Sequence, residues 1–147
     1  MRGVTLLEIL ISVAIIAIVA TMLIGVFGAW RASGDLEDAR SNVMGLLKDA
    51  RSRTLASKNN TTYGVRFETE RAVLFKGTVY SSSDPANENY NFPGSIKISN
   101  INLTGGAVYT VFTRLLGTTT ASGTITLESK RNQNTRLITI FATGNAE

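Results

Sequence analysis

From Ile9 to Trp30 the chain runs for 22 residues without a charge, and a single carboxylate, Glu8, stands directly before that run. As an α-helix, such a run is long enough to cross a hydrocarbon layer of ~30 Å. The chain after it has the composition of a soluble domain. The first question is therefore whether this arm spans a membrane, is removed, or assembles with other chains. Glu8 bears on the answer, because an ionisable group in a membrane segment costs up to ~2.5–3.5 kcal/mol at the centre and less toward the edge.

A secretory signal peptide would have a shorter apolar core of roughly 7–15 residues and a small-x-small cleavage site. This run is longer, follows Glu8 and ends in Phe27-Gly28-Ala29-Trp30-Arg31. A plain single-pass anchor suits Arg2 on one side and Trp30-Arg31 on the other, with the N-terminus cytoplasmic, but leaves Glu8 without a role. Two compensations are open. Thr5-Leu6-Leu7-Glu8 has capping-box spacing, in which the Thr5 hydroxyl accepts from the Glu8 amide and the Glu8 carboxylate reaches back to the Thr5 amide. The other is a positive partner on a second chain.

Of the 147 residues, none is cysteine or histidine. That excludes disulfides, Cys-ligated zinc, thiol nucleophiles and every catalytic arrangement built on imidazole. Glu68 and Glu70 have no third ligand beside them, Ser81–Ser83 have no base, and no phosphate-binding glycine pattern occurs. No catalytic, cofactor-binding or metal-binding residue is expected, and the chain does not read as an enzyme. Residues 59–147 hold eight Lys/Arg and six Asp/Glu, a balance far from the dense basic stripe of a nucleic-acid binder.

Beyond Ser33-Gly34, a possible bend, the pattern becomes amphipathic. Leu36, Ala39, Val43, Leu46 or Leu47, Ala50 and Thr54 recur at three- and four-residue steps, with Arg40, Lys48, Asp49, Arg51 and Arg53 mostly opposite. Acidic Asp35, Glu37 and Asp38 open this half, and basic Arg51, Arg53 and Lys58 close it, as the helix dipole favours. One nearly continuous helix from about Thr5 to Lys58 is expected, ended by Asn59-Asn60, and on the order of 80 Å long. Strands are expected at 63–67 and 72–75 as a hairpin, then at 96–103, 108–113, 123–127 and 136–141, with a polar loop over 81–93. The fold class is α+β: a long N-terminal helix, apolar then amphipathic, packed on an antiparallel β head.

Gly3-Val4-Thr5-Leu6-Leu7-Glu8-Ile9-Leu10-Ile11 resembles the class III signal sequence of type IV pilins and type II secretion pseudopilins. That resemblance implies a leader at 1–3, a transmembrane or filament-core helix at 4–30, an amphipathic helix at 31–58 and a head at 59–147. It implies cleavage by prepilin peptidase between Gly3 and Val4, methylation of the new Val4 amine, and pairing of Glu8 with the Val4 ammonium of a neighbouring subunit. The leader is shorter than is usual in that family, which leaves room for a start codon upstream, and Val4 replaces the commoner Phe or Met. Gly25 and Gly28 lie where such helices carry weakening residues, so local melting on assembly and close helix packing are both open there.

In the head, Asp49-Ala50-Arg51-Ser52-Arg53-Thr54-Leu55, Val111 to Gly117, Gly123 to Leu127 and Leu137 to Ile140 before Thr143-Gly144 resemble the GspH/FimT family of minor pilins and pseudopilins. The implied partners are prepilin peptidase, other pilin or pseudopilin subunits, an inner-membrane assembly platform and the membrane itself. The implied location is the inner membrane, with the N-terminus cytoplasmic and the head outside, and then the filament. The alternative is a DNA-binding uptake pilin. Such proteins carry a Gly-Arg-x-Arg element where this chain has Gly144-Asn145-Ala146-Glu147, so any DNA contact would fall to Lys130, Arg131 and Arg136. Nucleic acid is not the expected partner.

Overall fold

The computed structural model describes residues 5–147, apart from the side chains of residues 22–29. Helix α1, Leu6–Leu55, is 50 residues long. Thr5 is its N-cap, in an extended conformation suited to the first-turn amide it accepts. The helix passes through Ser33-Gly34 without a break. It ends three residues before the expected Lys58, because Ser57, Asn59 and Asn60 all take positive φ, of 48°, 55° and 54°. Asparagine tolerates that region better than most residues, and each such residue is incompatible with continuing the helix.

Seven strands follow: β1 Tyr63–Glu68, β2 Arg71–Lys76, β3 Glu88–Asn91, β4 Ile96–Leu103, β5 Tyr109–Val111, β6 Gly123–Ser129 and β7 Thr135–Ile140. They form two antiparallel sheets, ordered β3-β2-β1-β5 and β4-β6-β7. The expected hairpin is present, with Tyr63 opposite Lys76 and Glu68 opposite Arg71. The polar stretch 81–93 is not wholly loop, since β3 lies inside it and pairs with β2. The β3 composition, Glu-Asn-Tyr-Asn, has low intrinsic strand preference. Ties to the helix hold it instead. Arg53 forms a bidentate pair with Glu88, Asn42 Nδ2 donates to the Tyr90 hydroxyl at 3.1 Å, and Tyr90 meets Phe92 edge to face at 5.6 Å.

The second half of α1 forms the spine of the head. Ala32, Leu36, Ala39, Val43, Leu47, Ala50 and Thr54 are all buried, while Leu46 is partly exposed. This seam packs against β1 and β2 of one sheet and β4, β6 and β7 of the other. The shared core includes Val65, Phe67, Leu74, Phe112, Ile125, Leu127, Ile138 and Ile140. Thr54 sits on the seam because its hydroxyl is doubly used: it donates to the Ala50 carbonyl at 2.8 Å and accepts from the Tyr63 amide at 2.9 Å. This joins the helix end to the start of β1 and satisfies a polar group that burial would otherwise penalise.

The first sheet is covered on its other face too. Phe75 meets Tyr80 and Tyr109 edge to face at 5.5 and 5.7 Å, and Arg66 lies 4.6 Å from the Tyr80 ring centre. Gly64 makes room for this layer: a Cβ there would lie 2.6 Å from the Thr110 carbonyl oxygen and 2.7 Å from Phe75 Cζ.

Among the described residues no helix is long and apolar enough to cross a membrane. The expected spanning segment, 4–30, includes Val4 and the side chains of residues 22–29, which lie outside the described residues.

Leu47→Ala should lower the head's stability by about 2–5 kcal/mol, as loss of a fully buried leucine does. Thermal unfolding of the full chain in detergent measures this. Glu68 supplies a pH-dependent term. Arg71 first, then Arg66, holds its carboxyl below the usual glutamate range. A depressed folded pKa gives stability present above the unfolded value of ~4.3 and lost as the pH falls through the folded value. Glu68→Gln should therefore be less stable than the parent chain near neutral pH, with the difference shrinking below pH ~4, as read by unfolding midpoints across that range.

Candidate assembly site

The residues that the sequence marks as candidates for processing and assembly lie at or just before the start of α1. The Thr5 Oγ1 accepts from the Glu8 amide at 3.3 Å, and the Thr5 carbonyl accepts from the same amide at 3.1 Å and from the Ile9 amide at 3.3 Å. This is one half of the expected capping box. Among the described residues, no return bond runs from the Thr5 amide to the Glu8 carboxylate. That carboxylate is solvent-exposed in the first turn, where the positive end of the helix dipole favours an anion. Ser12 Oγ donates to the Glu8 carbonyl at 2.7 Å, and Thr21 Oγ1 to the Ile18 carbonyl at 2.7 Å, so both hydroxyls of this stretch turn back on their own helix. Gly3 and Val4, the expected cleavage pair, lie outside the described residues.

Every residue from Thr5 to Thr21 is exposed, on all sides of the helix. Leu6, Leu7, Leu10 and Ile16 each show more than 60% of their surface. A helix that is apolar all round has no polar face to turn to water, so its stable surroundings are lipid or other helices. Glu8, with Thr5 as its cap, is the one ionisable group in that surface. This contrasts with the second half of α1, where one stripe is buried in the head and the opposite side is polar.

The three candidate DNA-contacting cations do not form one open patch. Lys130 Nζ lies 3.1 Å from Glu70 Oε1, and Arg136 Nε lies 3.1 Å from Glu37 Oε2. The Arg136 guanidinium holds the Glu37 carboxyl below the usual range, with Arg40 adding to the effect. Arg131 is turned elsewhere, into a hollow shared with Arg31 and Asp35. Glu68 and Glu70 are partnered by arginine or lysine and do not converge. At the far end of the head, Gly144 packs on Gly117 so tightly that a Cβ would lie 1.8 Å from the Gly117 carbonyl oxygen, an oxygen that also accepts from Arg51 Nε at 3.1 Å. Gly144 of the last turn therefore has a packing role. That Arg31 and Arg131 line one hollow has no marker in the sequence, since the two are far apart in the chain and only the fold brings them to it.

Residues 1–24 match the family model described as the prokaryotic N-terminal methylation motif. This match supports a class III signal of the type IV pilin kind over those residues. No curated protein and no solved structure matches the chain.

Thr5→Ala removes the cap and should cost about 0.5–2 kcal/mol of local helix stability. Amide hydrogen exchange in detergent should show faster exchange at Leu6 to Glu8 and an unchanged head.

Proposed function

We propose that the chain is a minor pilin or pseudopilin, made as a membrane-anchored prepilin and assembled into a type IV pilus or a type II secretion pseudopilus. The observation that carries this reading is the methylation motif of residues 1–24 running into a helix that is apolar and exposed on every described side. Prepilin peptidase cuts between Gly3 and Val4 and methylates the Val4 amine. The apolar helix serves first as lipid anchor, with the N-terminus cytoplasmic, and then as filament core. The head, held on the second half of the same helix, initiates, caps or decorates the filament, with the inner-membrane platform and neighbouring subunits as partners.

Glu8 sets the register. Once helices bundle and water is excluded, a lone carboxylate is strongly destabilising, and breaking a buried pair costs about 3–5 kcal/mol. A neighbour's Val4 ammonium relieves that cost at one axial offset. This amine exists only after cleavage, so processing and assembly are coupled by charge. The capping bond from Thr5 keeps the first turn helical and Glu8 fixed on it before that partner arrives.

Mass spectrometry of the chain recovered from cells that make it tests the reading. The mature N-terminus should be Val4 bearing one added methyl group, and Gly3→Ala should leave the leader attached. Glu8→Ala should still be cleaved but should drop out of sheared filament fractions. An intact Met1 in the parent chain, or Glu8→Ala entering filaments normally, would overturn the reading.

A further inference from the structure

Where α1 enters the head, a surface hollow of about 530 Å³ is lined by Arg31, Ala32 and Asp35 of the helix, Pro93-Gly94-Ser95 before β4, and Arg131 of the β6–β7 turn. Three bonds hold it together. The Lys130 amide donates to the Ser95 carbonyl at 2.8 Å, the Ile96 amide to the Pro93 carbonyl at 2.8 Å, and Ser95 Oγ to Asp35 Oδ2 at 2.8 Å. The turn carrying Arg131 is therefore tied through the 93–95 loop to the first helical turns of the head. Among the described residues, neither Arg31 nor Arg131 makes an ion pair, while Lys130 and Arg136 beside them are neutralised by Glu70 and Glu37. Asp35, the one carboxylate of the hollow, is engaged by Ser95. Trp30, adjacent to Arg31 and the only tryptophan of the chain, is 74% exposed.

We infer that this hollow docks the head onto the headgroups of anionic phospholipids, with Arg31 and Arg131 each taking a lipid phosphate and Trp30 lying at the interface. The inference rests on the apolar arm being membrane-anchored, as proposed above. The charge is complementary, and the place is apt: Arg31 is the first charge after the uncharged run, so it sits at the level where a spanning arm leaves lipid. An indole and an arginine there are the side chains that bilayer interfaces favour. Arg131 adds a contact that a bare anchor would lack, because it comes from the β head and fixes the head's tilt. Docking of this kind holds the waiting subunit in one orientation at the membrane surface, and drawing the helix out of the bilayer breaks it.

The chain has no cysteine, so Asn132→Cys in the β6–β7 turn gives a unique site for a fluorophore. The labelled full chain is reconstituted into vesicles of phosphatidylcholine alone or of an equal mixture with phosphatidylglycerol, each carrying a quencher on a trace of headgroups. Quenching should be stronger in the anionic vesicles and fall with added salt. A charge near an anionic surface strengthens attachment about fivefold, so Arg31→Ala with Arg131→Ala together should weaken head docking by about 25-fold. Lys97→Ala, which removes a cation paired with Glu128 away from the hollow, should leave it unchanged. Equal quenching in both vesicles, or quenching indifferent to the arginine pair, would overturn the inference while leaving the anchor intact. A chain that floats with neither vesicle would overturn the anchor, and this inference with it.

Discussion

The head of this protein depends on the seam that runs along one side of α1 from Ala32 to Thr54. Each sheet has a face that must leave water, and burial of apolar surface at roughly 25 cal/mol per Å² is the main force available to close them. The helix gives both sheets a common surface. Alanine at 32, 39 and 50 lets the backbone come close, while Leu36, Val43 and Leu47 reach between the inward side chains of β1, β2, β6 and β7. Removing the helix would leave Phe67, Leu74, Ile125 and Ile138 facing water on two sheets of four and three strands.

The polar ties around that seam are weak individually, because exposed ion pairs contribute little to stability. Their effect is on placement. Arg53 and Asn42 hold β3 at the sheet edge, Asp35 holds the loop before β4, Glu70 anchors the β6–β7 turn, and Glu37 draws in Arg136. The Lys130 and Arg136 charges that look available in the sequence are occupied by these contacts, and among the described residues Arg131 is the one of the three without an ion-pair partner. A basic turn became a clasp and a single free arginine.

The two halves of α1 obey opposite rules although the backbone is one helix. In the second half the head absorbs one stripe and leaves a polar side to water. In the first half no element of the same chain covers any described side, so the apolar surface and Glu8 alike look outward for their partners. A carboxylate in such a surface is tolerable while it lies at the aqueous edge and is capped by Thr5.

Periodicity was enough to determine the helix, its buried positions Leu36, Ala39, Val43, Ala50 and Thr54, the β1–β2 hairpin and the later strands, because burial repeats every 3.6 or every two residues along the chain itself. The residue types around Glu8 likewise pointed to the N-terminal methylation motif that the family model finds over residues 1–24. Three things were decided only in three dimensions. Strand β3 exists through Arg53 and Asn42, not through its own preference. Between Leu46 and Leu47, which the spacing left open, packing between two sheets selects Leu47. The placing of Arg31 and Arg131 around one hollow follows from the 93–95 loop tying the β6–β7 turn to the helix. Local pattern records which face of an element is apolar, whereas contacts between distant side chains depend on where the sheets finally close, and no local pattern carries that.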